Sequence, residues 1–287
     1  EGISSCVRNV GARRLEEMTS QTGVTSNGLP CLTFGSGPPL VVFPGLTMTN
    51  EVPTGADRYF QQRMFRALSN RFRIHVIGRR PGLPAAVTMK DLAQEYAEAI
   101  SVDIAERVPV VGTSTGGALA RRFAVDHPDM VERMVVVAAG GRLSEHGRAV
   151  QRAFAYLIVA GAHRTAWQIF GESLVATRPA RVAMSTMLWA LGPSLSPADP
   201  SDMVATVEAE DTFDVMDELG RISAPTLVIG GTHDALNGAD VLAATADAIP
   251  KGELVLLEGK GHVRAAGSGQ TIRLVTEFMT DPAIRAH

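Results

Sequence analysis

Hydrophobic and polar positions alternate along this chain with two different periods. Short runs of apolar, often β-branched residues predict buried strands, as in "PLVVF" with its apolar centre at 40–43 and in "VPVV" at 108–111. Longer stretches repeat an apolar residue every three or four positions, which is the spacing of one helix face. One such helix is predicted over 57–69, with an apolar face made by Phe60, Met64, Phe65 and Leu68.

The two patterns follow one another over most of the sequence. Further strands are predicted at 72–77 and in "RMVVVAAG", "APTLVIGG" and "ELVLLEG", and further helices at 88–102, 115–127, 238–248 and 269–279. Two short strands near the start flank Asn27 and Gly28, a strong hairpin signal. Strands that alternate with helices indicate an α/β fold, a mostly parallel sheet with helices on both faces.

The alternation is interrupted once, by a block that has only helical patterns. The segments "RAVQRAFAYLIVAG", "RTAWQIFGESLV" and "RVAMSTMLWALG" lie in this block, and strands resume only after it. We therefore interpret 142–219 as a helical cap inserted into a core formed by 19–141 and 220–287. Residues 1–18 are polar and irregular, and are predicted to be a loose lead-in.

The segment "VVGTSTGGALA" predicts a sharp turn from strand to helix with Ser114 at its apex. A bare Gly-x-Ser-x-Gly match is weak in a chain with 28 glycines, because Ser114 could be an ordinary turn residue. Its position between a strand and a helix favours a nucleophile elbow. In such an elbow the serine backbone is strained, and side chains at Gly112 and Gly116 would crowd the adjoining strand and helix.

Three chemically useful residues follow predicted strands. Ser114 follows the strand at 108–111, Asp234 follows "TLVIGGTH", and His262 follows "ELVLLEGKG". The carboxyl ends of parallel strands open at one edge of the sheet, so these side chains are expected to meet there. A serine hydroxyl attacks well when an imidazole accepts its proton, and a carboxylate orients that imidazole. The order Ser, Asp, His along the chain is the one expected after a nucleophile elbow.

Neighbouring residues offer alternatives for two of these roles. His233 is a second imidazole, but it adjoins Asp234 in a tight loop and is interpreted as structural or as a pocket-lining residue. Asp211 and Asp240 are alternative acids. Asp211 falls in the predicted cap and Asp240 inside a predicted helix, so neither follows a strand.

Three motifs, taken together, give the chain a family resemblance. They are "GTSTGG" at 112–117, "PTLVIGGTHD" at 225–234 and "EGKGHV" at 258–263. On these motifs the chain resembles the α/β-hydrolase superfamily, in particular its capped esterase-like and C–C-hydrolase-like members, from about Thr22 to Phe278. The resemblance implies that Ser114 is the nucleophile, His262 the base and Asp234 the acid, beneath a cap.

The resemblance also implies an oxyanion hole formed by two backbone N–H groups. We expect these from Thr115, which follows the nucleophile, and from Leu46 in the loop after "VVFPG". This loop departs from a frequent family pattern, since Pro44 stands where many relatives have a histidine. The segment "GRRPGLP" at 78–84 departs as well, where many relatives carry an aspartate and a glycine-rich turn.

The expected activity is cofactor-independent cleavage of an ester, lactone or thioester of an apolar small molecule. C–C bond hydrolysis on the same fold is an alternative, and so is a hydrolase-like receptor that holds a ligand with little turnover. Large apolar residues concentrate in the cap, and some of them are expected to line the pocket. The candidates for substrate contact are Trp167, Met187, Trp189 and Val263.

Composition and charge exclude several other classes. The net charge of −3 gives no basic field for nucleic acid, and no run of about 18 apolar residues predicts a membrane span. Cys6 and Cys31 are too few for a metal cluster or a disulfide framework, although one bridge between them stays open. No metal or cofactor is expected, the location is predicted to be cytoplasmic, and a homodimer is left open.

Overall fold

The computed structural model describes residues 20–283, so the predicted lead-in at 1–18 and Cys6 lie outside the described residues. An eight-stranded sheet runs through this part of the chain. Its strands are β1 (Ser20–Val24), β2 (Pro30–Gly35), β3 (Pro39–Phe43), β4 (Arg73–Ile77), β5 (Val108–Thr113), β6 (Val131–Val137), β7 (Thr226–Gly231) and β8 (Gly252–Leu257). They lie in the order β1-β2-β4-β3-β5-β6-β7-β8.

The sheet is mostly parallel, as the sequence predicted. Strands β3 to β8 pair in parallel, whereas β1 and β2 add an antiparallel edge. The hairpin predicted at Asn27 and Gly28 joins β1 to β2, and Gly28 has a positive φ of 88° that suits its glycine. The parallel part brings the carboxyl ends of β3, β5, β7 and β8 to one edge.

Ten α-helices lie in the described part of the chain. They are α1 (Gly55–Phe65), α2 (Met89–Asp103), α3 (Thr115–Asp126), α4 (Glu145–Val159), α5 (His163–Ser173), α6 (Arg178–Leu195), α7 (Ser201–Asp211), α8 (Ala239–Ala248), α9 (His262–Gly267) and α10 (Gly269–Thr280). The four helices α4 to α7 follow one another between β6 and β7, where the sequence predicts an insertion. Together they form the helical insertion. None of the helices is long and apolar enough to cross a membrane.

Each face of the sheet buries a separate apolar core. On one face Phe43, Val110 and Val136 pack with α2 and α3, and on the other Val111, Val135 and Ile229 pack with residues of α10. Adjacent residues such as Val110 and Val111 lie in different cores because successive side chains of a strand point to opposite faces of the sheet. Helices therefore cover both faces, and the fold is an α/β fold.

Local sequence signals explain some helix boundaries and mislead about one. Thr88 caps α2 as predicted, through a reciprocal pair of hydrogen bonds with Asp91. The predicted helix at 57–69 is wrong at its C-terminal end, because α1 ends at Phe65 and Leu68 packs from the turn that follows. Phe60 was also placed wrongly on the buried face, since 67% of it is exposed.

Candidate active site

A strained backbone at Ser114 joins β5 to α3. Ser114 has φ 52° and ψ −126°, a conformation that residues other than glycine rarely adopt. A β-carbon at Gly116 would lie 2.0 Å from the carbonyl oxygen of Phe43, and one at Gly112 would lie 2.5 Å from that of Gly116. The two glycines thus permit the close packing that the turn requires, as the sequence predicted.

The structure brings the three predicted strand-end residues into one hydrogen-bonded chain. Nε2 of His262 lies 3.1 Å from Oγ of Ser114, and Nδ1 of His262 lies 2.9 Å from Oδ2 of Asp234. Asp234 comes from the loop after β7, and His262 is the first residue of α9. Asp234 and His262 are buried, whereas Ser114 is half-buried. Of the three residues, Ser114 is thus the most accessible.

The surroundings of Asp234 favour its charged form. Its Oδ1 accepts hydrogen bonds from the backbone N–H groups of Leu236 and Asn237, at 3.0 and 3.3 Å. Burial raises the pKa of Asp234, but the positive charge and hydrogen bond of His262 and these backbone donors outweigh burial and leave the pKa below its ordinary value. The carboxylate is therefore well placed to orient the imidazole.

The alternative residues have other partners. Asp211 forms an ion pair with Arg152 at 2.8 Å, and Asp240 is exposed in the first turn of α8. His233 is exposed, and its Nδ1 lies 3.0 Å from Oγ1 of Thr232.

The loop after β3 passes directly over Ser114 and is held by a buried arginine. A β-carbon at Gly45 would lie 3.4 Å from Cβ of Ser114, so the loop that carries Leu46 borders the nucleophile. Arg79 donates hydrogen bonds to the carbonyl oxygens of Pro44 and Gly45, at 3.3 and 2.9 Å, and to Oγ1 of Thr47 at 2.8 Å. The segment 78–84, which departs from the frequent family pattern, thus supplies the arginine that holds this loop in place.

The other expected oxyanion donor, Thr115, begins α3 directly after Ser114. The first N–H groups of a helix have no partner within the helix, so this position can offer a donor to a ligand. Oγ1 of Thr115 donates to Oε2 of Glu210 at 2.7 Å, and both residues are buried. Glu210 lies on α7 within the helical insertion, and no sequence motif marks it as part of the site.

The insertion also contacts the other two loops of the site. Leu46 and Met48 pack against a buried cluster of α4 to α7 that includes Phe154 and Trp167. The backbone N–H of Val263 donates to the carbonyl oxygen of Leu174, just after α5, at 3.1 Å. The insertion therefore touches the segments that carry Leu46, Thr115 and His262.

The predicted substrate-contact residues lie in different surroundings. Trp167 is buried in the cluster of the insertion and donates from Nε1 to Oγ of Ser196. Met187 and Trp189 are nearly half exposed on α6, and Arg164 stacks over the Trp189 ring. Val263 adjoins His262 and is 42% exposed. Trp167 and Val263 thus lie in or beside segments that border the site, and their contact with substrate stays a prediction.

In this geometry the serine hydroxyl can act as a nucleophile, the imidazole as its base, and the carboxylate as the group that orients the base. The imidazole can accept the serine proton as the hydroxyl attacks, and the carboxylate can stabilise the imidazolium that forms. On a mostly parallel α/β sheet, with the serine at an elbow, this arrangement defines a hydrolase-type site.

Comparison with known proteins supports this class. The family model for the alpha/beta hydrolase fold matches residues 101–264. The chain belongs to the α/β-hydrolase family, which confirms the resemblance inferred from its motifs. It is similar to the pimeloyl-[acyl-carrier protein] methyl ester esterase of Nitrosomonas europaea, with 27% identity over 240 residues that cover 80% of this chain and 90% of that protein.

Solved structures share the fold at low sequence identity. MGS-M2, an alpha/beta hydrolase enzyme from a Medee basin deep-sea metagenome library, matches with a TM-score of 0.76 and 18% identity, covering 88% of this chain and 95% of its own. The enol-lactonase of Burkholderia xenovorans LB400 matches with a TM-score of 0.72 and 19% identity, covering 91% of this chain and 100% of its own.

Proposed function

We propose that this protein is a serine esterase that uses Ser114, His262 and Asp234 as a catalytic triad. The observation that carries the proposal is the continuous hydrogen-bonded chain from Oγ of Ser114 through the imidazole to Oδ2 of Asp234, at a strained elbow. The relative from Nitrosomonas europaea, a methyl ester esterase by name, supports an ester as the substrate bond.

The reaction follows from the positions of these groups. Oγ of Ser114 attacks the ester carbonyl carbon while its proton passes to Nε2 of His262. The tetrahedral oxyanion accepts hydrogen bonds from the backbone N–H groups of Thr115 and Leu46. Nε2 then returns the proton to the departing alcohol, which leaves an acyl-enzyme. Water attacks the acyl-enzyme carbonyl carbon while Nε2 of His262 takes its proton. The imidazole then returns this proton to Oγ of Ser114 as the acid is released. These steps need only this chain's own groups and water.

The helical insertion is proposed to act as a cap, and to give the site its preference for apolar acyl groups. Its apolar cluster meets Leu46 and Met48 beside the proposed oxyanion hole, so an apolar acyl chain would find a matching surface there. We expect a small-molecule ester with a moderately long acyl chain. The cytoplasmic location and the homodimer remain predictions.

The test is hydrolysis of p-nitrophenyl esters from acetate to decanoate, with Ser114→Ala alongside. We expect release that depends on Ser114 and has an optimum chain length. A fluorophosphonate probe should label the wild-type protein but not Ser114→Ala. Equal labelling of both proteins would refute the role of Ser114. Labelling without ester turnover would direct the search to lactones, thioesters or C–C substrates, and would count against an esterase.

A further inference from the structure

Glu210 is a buried carboxyl group that joins the helical insertion to the nucleophile elbow. It lies near the end of α7, is 3% exposed, and its Oε2 accepts the hydroxyl proton of Thr115 at 2.7 Å. Thr115 is itself 1% exposed and follows Ser114 directly. A short hydrogen bond between two buried groups restricts both, because neither can turn to water as a substitute partner.

Burial raises the pKa of Glu210 above its ordinary value, while the hydrogen bond from Thr115 and the positive charge of Arg79 act against this rise. Arg79 and Arg121 are both fully buried and both interact electrostatically with Glu210. Their hydrogen bonds go to backbone carbonyl oxygens and to one threonine hydroxyl, and in residues 20–283 neither forms an ion pair within 4.0 Å. Glu210 is thus an acid with which both buried guanidinium groups interact.

The same helix α7 is anchored to the core at its other end. Oδ1 and Oδ2 of Asp202 accept hydrogen bonds from the backbone N–H groups of Leu83 and Gly82, at 2.7 and 3.1 Å. Two acidic residues, one near each end of α7, thus fix the helix across the carboxyl edge of the sheet. The end that carries Glu210 meets the elbow.

We infer that Glu210 is a positioning residue for the oxyanion hole. By accepting the hydrogen bond of the Thr115 hydroxyl, it holds the first residue of α3 in place. It thereby holds the Thr115 backbone N–H, one of the two donors proposed to stabilise the transition state. The inference rests on the proposed esterase function and adds that a helix of the insertion completes the site. The position of the Thr115 N–H in the oxyanion hole then depends on the contact between α7 and α3.

The test compares two variants of Thr115, because replacing Glu210 would also disturb the two buried arginines with which it interacts. Thr115→Val has nearly the same shape but cannot donate to Glu210, whereas Thr115→Ser keeps the hydroxyl. With a p-nitrophenyl ester substrate, we expect Thr115→Val to lower kcat about tenfold, with KM within twofold of the wild type. Loss of a group that acts in the transition state falls on kcat rather than on ground-state binding. Thr115→Ser should restore most of kcat.

The matched control is Thr206→Val. Thr206 is a fully buried threonine on the same helix as Glu210, and its hydroxyl donates within that helix to the carbonyl oxygen of Asp202 at 2.7 Å. Removing this hydroxyl costs a buried hydrogen bond without touching the elbow. We expect Thr206→Val to retain wild-type kcat, and thermal melts of all variants will show whether each is folded.

A double variant tests whether Thr115 and Glu210 act through each other. In the Thr115→Val background the hydrogen bond is already gone, so Glu210→Gln should lower kcat by a smaller factor there than it does in the wild type. Independent losses that multiply in the double variant would overturn the inference. So would an effect on KM alone, an equal loss in Thr115→Ser, or a Thr115→Val protein that fails to fold.

Failure of the inference can be distinguished from failure of the proposed function. If Ser114→Ala abolishes hydrolysis and Thr115→Val retains wild-type kcat, the esterase stands and the role of Glu210 is refuted. If Ser114→Ala hydrolyses the ester as fast as the wild type, the proposed function itself is refuted.

Discussion

The imidazole of His262 lies between two oxygen atoms, with Nδ1 2.9 Å from Oδ2 of Asp234 and Nε2 3.1 Å from Oγ of Ser114. Because Oδ1 of Asp234 is occupied by two backbone N–H groups, Oδ2 is left to face the imidazole. This contact sets which ring nitrogen carries the proton. Nδ1 donates to the carboxylate, and Nε2 is then free to accept the serine proton.

Asp234→Asn is expected to lower kcat/KM by roughly 10⁴-fold while the protein remains folded. The asparagine amide has nearly the same shape, but it cannot stabilise an imidazolium, and it can present a donor where Nδ1 needs an acceptor. The measurement is ester hydrolysis together with a thermal melt. Asp240→Asn, which changes an exposed acid of the same region, should retain wild-type activity. Near-normal activity in Asp234→Asn would show that another residue is the acid of the triad.

Gly116→Ala is expected to destabilise the protein by at least about 3 kcal/mol. The added β-carbon would lie 2.0 Å from the carbonyl oxygen of Phe43, a backbone atom of a central strand that cannot move aside alone. Urea unfolding measures the change. Gly220→Ala is the control, because a β-carbon there meets nothing within 4 Å and the free energy of unfolding should change by less than about 0.5 kcal/mol. Equal stabilities would show that the elbow relaxes around the methyl group.

The three triad candidates could be predicted because each has a local signature. Ser114 lies between glycines that a tight strand-to-helix turn requires, and Asp234 and His262 follow strands that the apolar pattern reveals. Parallel pairing then brings these positions together without any knowledge of side-chain contacts. The α/β class was predictable for the same reason, since the alternation of strand and helix periods is itself a local property.

Glu210 could not be predicted because its role depends on a contact between distant segments. It lies 95 positions from Thr115. It is also one of four acidic residues in α7, and the sequence does not distinguish it from the exposed Glu208. The apolar spacing also extended α1 wrongly beyond Phe65, because Leu68 packs inward from a turn and thereby continues the helical pattern. Periodicity indicates which residues can be buried together, but it does not show which partner buries them.

Arg79→Met is expected to lower kcat at least tenfold. The methionine fills a similar volume but donates no hydrogen bond, so the carbonyl oxygens of Pro44 and Gly45 lose their shared donor and the loop that carries Leu46 loosens. The measurement is kcat for ester hydrolysis, with unfolding followed in parallel.

The neighbouring arginine provides a control for this prediction. Arg80 pairs with Glu95 at 2.7 Å and its side chain is 43% exposed, so Arg80→Met removes a solvent-screened ion pair and should leave kcat unchanged. If Arg79→Met and Arg80→Met both retain wild-type kcat, contacts other than the guanidinium of Arg79 determine the shape of the loop.

His75→Asn is expected to flatten the dependence of stability on pH between about pH 6.5 and pH 4. Burial on β4, with a smaller contribution from the positive charge of Arg73, lowers the pKa of His75 from 6.5 to about 4. The folded protein therefore keeps this imidazole neutral while the unfolded chain takes up a proton near its ordinary pKa. Because the unfolded state binds more protons in this window, the free energy of unfolding of the wild type falls as the pH falls.

Urea unfolding at intervals from about pH 8 to pH 4 measures this difference. Above about pH 7 both the folded and the unfolded wild type hold a neutral His75. Any constant offset between wild type and variant there reports the change in the hydrogen bond to Oγ1 of Thr33. Below about pH 7 the free energies of unfolding of wild type and variant should converge or cross as the pH falls. Only the wild type then loses stability through proton uptake by His75 in its unfolded state. Curves that stay parallel down to pH 4 would mean that His75 takes up its proton equally in the folded and unfolded states.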